Sequence, residues 1–183
     1  MIKLLKVSGY DVKTPKTGDF EVTDPNAVWD NAGIDLYVPK YNEQFAKDFK
    51  EYNPNLTIDK DLDGKYFFRI PSGTNAIVPS GWYTKFPESQ MLMVANKSGV
   101  ANKKHLSFAA HIIDSSYQGN LLISIFNYGN DWTKVTLDEK LVQVIQVPVL
   151  LGAEIVDENT SKEDFFVKES TRGAGALGST GLN

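Results

Sequence analysis

The chain has 183 residues, 42% of them hydrophobic and 23% charged, with a formal net charge of −4 at pH 7. That length suits one domain with a full core, and the absence of any run of ~18 apolar residues excludes a helical membrane span. With no cysteine and two histidines, His105 and His111, disulfides, thiolate chemistry and cysteine zinc sites are excluded, and a mildly acidic chain has no general pull on nucleic acid.

Residues 1–7 alternate and read as a first strand, too short for a signal peptide. A second strand is predicted at 34–38. Phe45, Phe49 and Tyr52 then follow at i, i+4 and i+7 with charges between them, which predicts a short amphipathic helix over 41–52. Asn53-Pro54-Asn55 stops it, and residues 59–64 read as a charged turn, so 41–64 is an excursion inserted between strands. Its aromatic face suits packing on the core, and also suits contact with a partner. Apolar segments rich in β-branched and aromatic residues recur at 65–70, 75–78, 81–86, 91–94, 121–126, 132–135 and 141–150. A second short helix is expected after Lys97, with Ser98 as its cap. Short strands separated by Gly, Asn, Asp and Pro predict an all-β fold, a jelly-roll-like sandwich or barrel with one or two short helices. Residues 1–165 are expected to form this domain. From about Asp157 the chain turns polar, and 166–183 reads as a glycine-rich arm.

Five places carry chemistry. Asp114 stands at a turn, after Ile112-Ile113 and before Tyr117-Gln118-Gly119. A carboxylate there can orient and deprotonate a water, and the same position suits an Asx-turn. Tyr117 is placed either to lie on a sugar or to sit half-exposed on a sheet. Lys97-Ser98-Gly99 puts a cation, a hydroxyl and a glycine at a helix start, where backbone amides favour phosphate. Asp35 lies in a buried strand and needs a cation or a metal, and Gln143 in an apolar strand needs a hydrogen-bond partner. The tail, 171–182, has glycines at 173, 175, 178 and 181 beside Arg172, Ser179 and Thr180. Glycine amides can ring an anion, so the tail reads as a lid over a phosphorylated ligand or as a polar end.

In order, these segments resemble the trimeric dUTPase family from about Ala32 to Gly181. Ala32-Gly33-Ile34-Asp35-Leu36 matches the family's Ala-Gly-x-Asp-Leu. Lys97-Ser98-Gly99-Val100-Ala101 matches Arg-Ser-Ser/Gly-x-Ala except for lysine in the arginine place. His111-Ile112-Ile113-Asp114-Ser115-Ser116-Tyr117-Gln118-Gly119 matches Gly-x-Ile-Asp-x-x-Tyr-x-Gly except for histidine in the first place. Lys140-Leu141-Val142-Gln143 stands for Arg-x-x-Gln. Residues 172–181 stand for Arg-Gly-x-Gly-Gly-Phe-Gly-Ser-Thr-Gly, with Ala176 for a glycine and Leu177 for the aromatic. Each motif is weak alone, and five in order are strong.

The resemblance implies a jelly-roll homotrimer in the cytoplasm, with active sites shared between subunits and neither nucleic acid nor membrane as partner. It implies hydrolysis of dUTP to dUMP and pyrophosphate with Mg²⁺ held mainly by the triphosphate and waters. Asp114 would activate the attacking water. Tyr117 would pack on the deoxyribose, and the hairpin at 108–122, with Ile113 and Leu122, would read uracil. Lys97, Ser98, Gly99 and Gln143 would hold phosphates, with Asp35 and Lys140 supporting them. Arg172, Leu177, Gly178, Ser179 and Thr180 would close over the nucleotide of another subunit.

The departures have consequences. Lysine at 97 and 140 lacks the planar fork of arginine, and Leu177 cannot stack on a base, so activity below the family norm or a shifted base preference is expected. His111 is expected to be buried and neutral as packing, or else to reach the base or a neighbouring subunit. A dCTP deaminase of the same fold is a rival, but its glutamate ten residues past the aspartate is Ser124 here, and its arginine two residues before is Ile112. A regulatory binding protein is a second rival, which Asp114→Asn separates from an enzyme.

Overall fold

A computed structural model describes residues 1–166. In chain order the elements are β1 (Lys3–Lys6), β2 (Lys16–Thr17), β3 (Phe20–Glu21), β4 (Ile34–Tyr37), α1 (Glu43–Tyr52), β5 (Ile58–Lys60), β6 (Tyr66–Ile70), β7 (Asn75–Pro79) and β8 (Trp82–Lys85). They continue as β9 (Gln90–Ala95), α2 (Ser98–Lys104), β10 (Leu106–Phe108), β11 (Ile112–Ile113), β12 (Leu122–Asn127), β13 (Thr133–Thr136), β14 (Lys140–Pro148) and α3 (Lys162–Phe165). The largest sheet has the order β11-β9-β14-β4-β2-β3, and smaller ones are β10-β12-β7, β13-β6-β5 and β1-β8. Their pairings are antiparallel, in an all-β fold of the jelly-roll type.

Alternation explains the burial. Strand β12 buries Ile123 and Ile125 and turns Ser124 and Phe126 away. Strand β4, between β14 and β2, is buried at all four positions, Asp35 among them. One core joins Leu36, Phe68, Ile125, Val142 and the two phenylalanines of α1.

The excursion is tied to that core. Asn42 caps α1 by accepting from the Phe45 amide at 2.8 Å, and Phe45 and Phe49 are buried. Each buried ring contributes about 1.5–3 kcal/mol. Phe49 packs on Phe68 with ring centroids 4.7 Å apart. Asn53, buried at the helix end, donates to Ile77 O at 2.7 Å and accepts from Ile77 N at 2.8 Å. It thereby covers the edge of β7 as a neighbouring strand would.

Several elements differ from the sequence expectation. Strands β2, β3 and β11 have two residues each, too few for a periodic signal. Asp59 and Lys60 belong to the polar strand β5, and the turn is 61–64, where Asp61 Oδ1 accepts from the amides of Asp63 at 3.2 Å and Lys65 at 2.8 Å. Helix α2 forms, but its cap position is Lys97, which makes no side-chain cap bond, and Ser98 is already helical. His111 is exposed rather than buried, with Nδ1 3.0 Å from Val94 O. Its neighbours on β11 lie at the margin of the sheet, where a ring is not enclosed.

Residues 1–150 form one compact unit, and a second begins at Leu151. In the latter, Ser161 Oγ accepts from the Asp164 amide at 3.0 Å and caps α3.

Candidate active site

Strand pairing brings three of the motifs together. Gln143 on β14 lies opposite Asp35 on β4 and opposite Ala95 at the end of β9. Lys97 follows β9 by two residues and Lys140 opens β14, so both ammonium groups converge on Asp35. Lys97 Nζ donates to Asp35 Oδ1, and Lys140 Nζ lies 3.0 Å from Oδ2. Lys140 also donates to Gly18 O at 3.2 Å. Burial would lower the Lys140 pKa, but the hydrogen bond and charge of Asp35 outweigh it and hold the ammonium above its usual value.

Asp35 is thus a buried acid answered by cations. One carboxylate between two lysines leaves a net positive charge, and both lysine side chains stay partly open, at 27% and 33% exposure. Gln143 donates through Nε2 to Asn96 O at 2.9 Å, which supplies the partner its strand position requires. Gly33 is fixed by close approach, since a Cβ there would lie 2.9 Å from Val144 O and 3.2 Å from Gln143 Oε1. Ser98 and Gly99 are exposed in the first turn of α2, with open space above Gly99.

The hairpin bearing Asp114 is a separate region. Ile113 is half-buried against the core and pairs with Leu92, and Leu122 is half-buried opposite Pro79. Asp114 is exposed, and its carbonyl accepts from the Tyr117 amide at 3.1 Å, closing a turn. Tyr117 folds back over Gly119 and donates to Asn120 O at 2.8 Å, while Asn120 Oδ1 accepts from Gly81 N at 3.0 Å. A Cβ at Gly119 would collide with the Tyr117 ring. Burial, and behind it the phenol of Tyr52, push the Tyr117 hydroxyl upward.

One chain does not bring these two regions together. Asp114 adjoins the residue paired with Leu92, whereas Lys97 lies five residues further along the extended β9 segment, about 16 Å at ~3.3 Å per residue. Arg172, Leu177, Gly178, Ser179 and Thr180 lie outside the described residues. Sequence reasoning missed Asn96, Gly18 and Asn120, which act through backbone or turn positions. Only Asn120, an asparagine closing a turn, carried any signal.

Comparison with known proteins places this arrangement. Residues 60–181 match the family model for dUTPase. The deoxyuridine 5'-triphosphate nucleotidohydrolase of Hahella chejuensis is 34% identical over 116 residues, covering 61% of this chain and 71% of the relative. That of Gloeothece citriformis is 30% identical over 125 residues, covering 67% and 81%. The solved structure of a point mutant of the Staphylococcus bacteriophage 80alpha dUTPase with dUpNHpp is similar with a TM-score of 0.66 at 17% identity, covering 100% of this chain and 99% of that one. The chain belongs to the dUTPase family.

Proposed function

We propose that the chain hydrolyses dUTP to dUMP and pyrophosphate, removing dUTP from the nucleotide pool and supplying the precursor of dTTP. The observation that carries the reading is the pairing of Lys97 and Lys140 on one buried carboxylate, together with an exposed Asp114 on a separate hairpin. The first region offers net positive charge to a triphosphate, and the second offers a base to a water. Asp114 orients a water for in-line attack on the α-phosphorus and takes its proton, a role that contributes about 10²–10⁴-fold. Lys97, Ser98, Gly99 and Gln143 position the phosphates, and Asp35 and Lys140 hold Lys97 in place. Positioning and charge neutralisation supply most of such a reaction.

Tyr117 underlies the deoxyribose, and Ile113 and Leu122 flank the uracil site. Among the described residues no cluster of three acidic or histidine side chains is set to hold a metal, and Asp35 is engaged by two lysines. Mg²⁺ would arrive on the triphosphate, with water as its other ligands. When bound there, the ion neutralises phosphate charge.

The separation of Asp114 from Lys97 along β9 supports a site completed by another copy of the chain, in a homotrimer. Residues 166–183 are proposed as the lid, with Arg172, Ser179 and Thr180 on the β- and γ-phosphates and Leu177 and Gly178 near the base. Among the described residues no helix is long and apolar enough to cross a membrane. The proposed location is the cytoplasm. Pyrophosphate release measured for dUTP, the four standard dNTPs and UTP, with and without Mg²⁺, tests the reading. Selective, Mg²⁺-dependent turnover of dUTP is expected, and equal turnover of dUTP and UTP would contradict it.

A further inference from the structure

We propose that Tyr52, carried on the inserted helix α1, is a second aromatic wall of the nucleoside site beside Tyr117 and a determinant of its selectivity. The inference rests on the dUTP-hydrolysis reading. The apolar stripe of α1 runs Phe45, Phe49, Tyr52. Phe45 is 0% exposed and Phe49 1%, whereas Tyr52 emerges at 42%. An amphipathic helix that only packs on a core has no need of a large aromatic at the open end of its stripe.

That end is held toward the hairpin. Asn53, the next residue, is clamped to Ile77 of β7 at 2.7 and 2.8 Å. Strand β7 pairs with β12, the strand that leaves the hairpin, with Leu122 opposite Pro79. On the other side Tyr10 donates to Asp48 of α1 at 2.6 Å and packs edge-on against Phe45, with ring centroids 6.1 Å apart. The same Tyr10 lies against Gly81, whose amide binds Asn120 at the root of the hairpin. Both routes hold the end of α1 toward the root of the hairpin that carries Tyr117. Burial is the larger cause of the raised Tyr117 pKa and the phenol of Tyr52 adds to it, as it does more weakly for Tyr10. Tyr117 is itself 37% exposed, so both phenol rings are open to a ligand. A base or sugar entering beside Tyr117 therefore meets its second ring on the excursion.

The test uses the full chain with Tyr52→Ala and Tyr52→Phe, assayed for kcat and KM on dUTP and UTP. Losing the ring should raise KM for dUTP at least about fivefold, the size of a lost stacking contact. With Tyr52→Ala, kcat should stay within about twofold, since chemistry at Asp114 is untouched. Tyr52→Phe should restore the wild-type KM. In the unmutated chain, saturating dUMP should slow nitration of Tyr52 by tetranitromethane, followed by mass spectrometry, a readout independent of whether the variants fold. An unchanged KM in a folded Tyr52→Ala chain, or nitration indifferent to dUMP, would overturn the inference while wild-type turnover of dUTP leaves the functional reading intact. A wild-type chain inert toward dUTP would overturn both.

Discussion

The two halves of the candidate site are built in opposite ways. The phosphate end is set into the largest sheet. Asp35 is buried on β4, Lys140 opens the adjacent β14, Lys97 follows β9 on the far side of β14, and Gly33 and Gln143 are fixed by close backbone contacts. The hairpin end is exposed, held by its own turn and by Asn120. Charge that must be neutralised demands a rigid, pre-arranged host, whereas a base that takes a proton from water must stay reachable. Mutation should therefore separate activity from stability by region.

The largest effect is expected at the hairpin. Asp114→Asn should lower kcat by about 10³-fold and leave the urea midpoint unchanged, because the side chain is exposed. A shifted midpoint would show that the hairpin is also structural. In the sheet the order reverses. Asp35→Asn leaves two ammonium groups without their partner and should cost about 2 kcal/mol in urea unfolding, below the value for a fully buried pair because both lysines are partly solvated. It should also raise KM for dUTP. Gly33→Ala forces a Cβ onto Val144 O and should cost about 1–2 kcal/mol. Tyr117→Phe removes one exposed hydrogen bond and should cost under about 1 kcal/mol while keeping the ring.

The smallest effect is on pH. The Lys140 pKa is raised in the folded chain. Its contribution is therefore complete below the unfolded lysine value near ~10.4, and is lost as pH rises through the folded value. Lys140→Met should flatten the alkaline limb of the stability profile above about pH 10. An unaltered limb would mean that Asp35 is satisfied by Lys97 alone.

Much of this was legible in the sequence. The long strands and α1 announced themselves by period, since Phe45, Phe49 and Tyr52 or Ile123 and Ile125 repeat at the spacing of their element. Asp35 announced its need of a cation by being an acid in an apolar run, though that both lysines answer it appears only when β4, β9 and β14 are paired. The two-residue strands and polar β5 had no pattern to show. The exposure of His111 depends on its place at the sheet margin, which no local signal encodes. Asn96 and Gly18 act through backbone carbonyls, which every residue possesses, and so left no trace.

The central claim is that Asp114 of one copy works with Lys97 of another. The most direct measurement mixes two inactive variants, Asp114→Asn and Lys97→Met, unfolds and refolds them together in equal amounts, and follows pyrophosphate release from dUTP. A site drawn from two copies pairs an intact Asp114 with an intact Lys97 in about a quarter of sites, so roughly a quarter of wild-type activity should return. Activity no higher than that of either parent alone would place both residues in a site made by a single chain, and would contradict the claim.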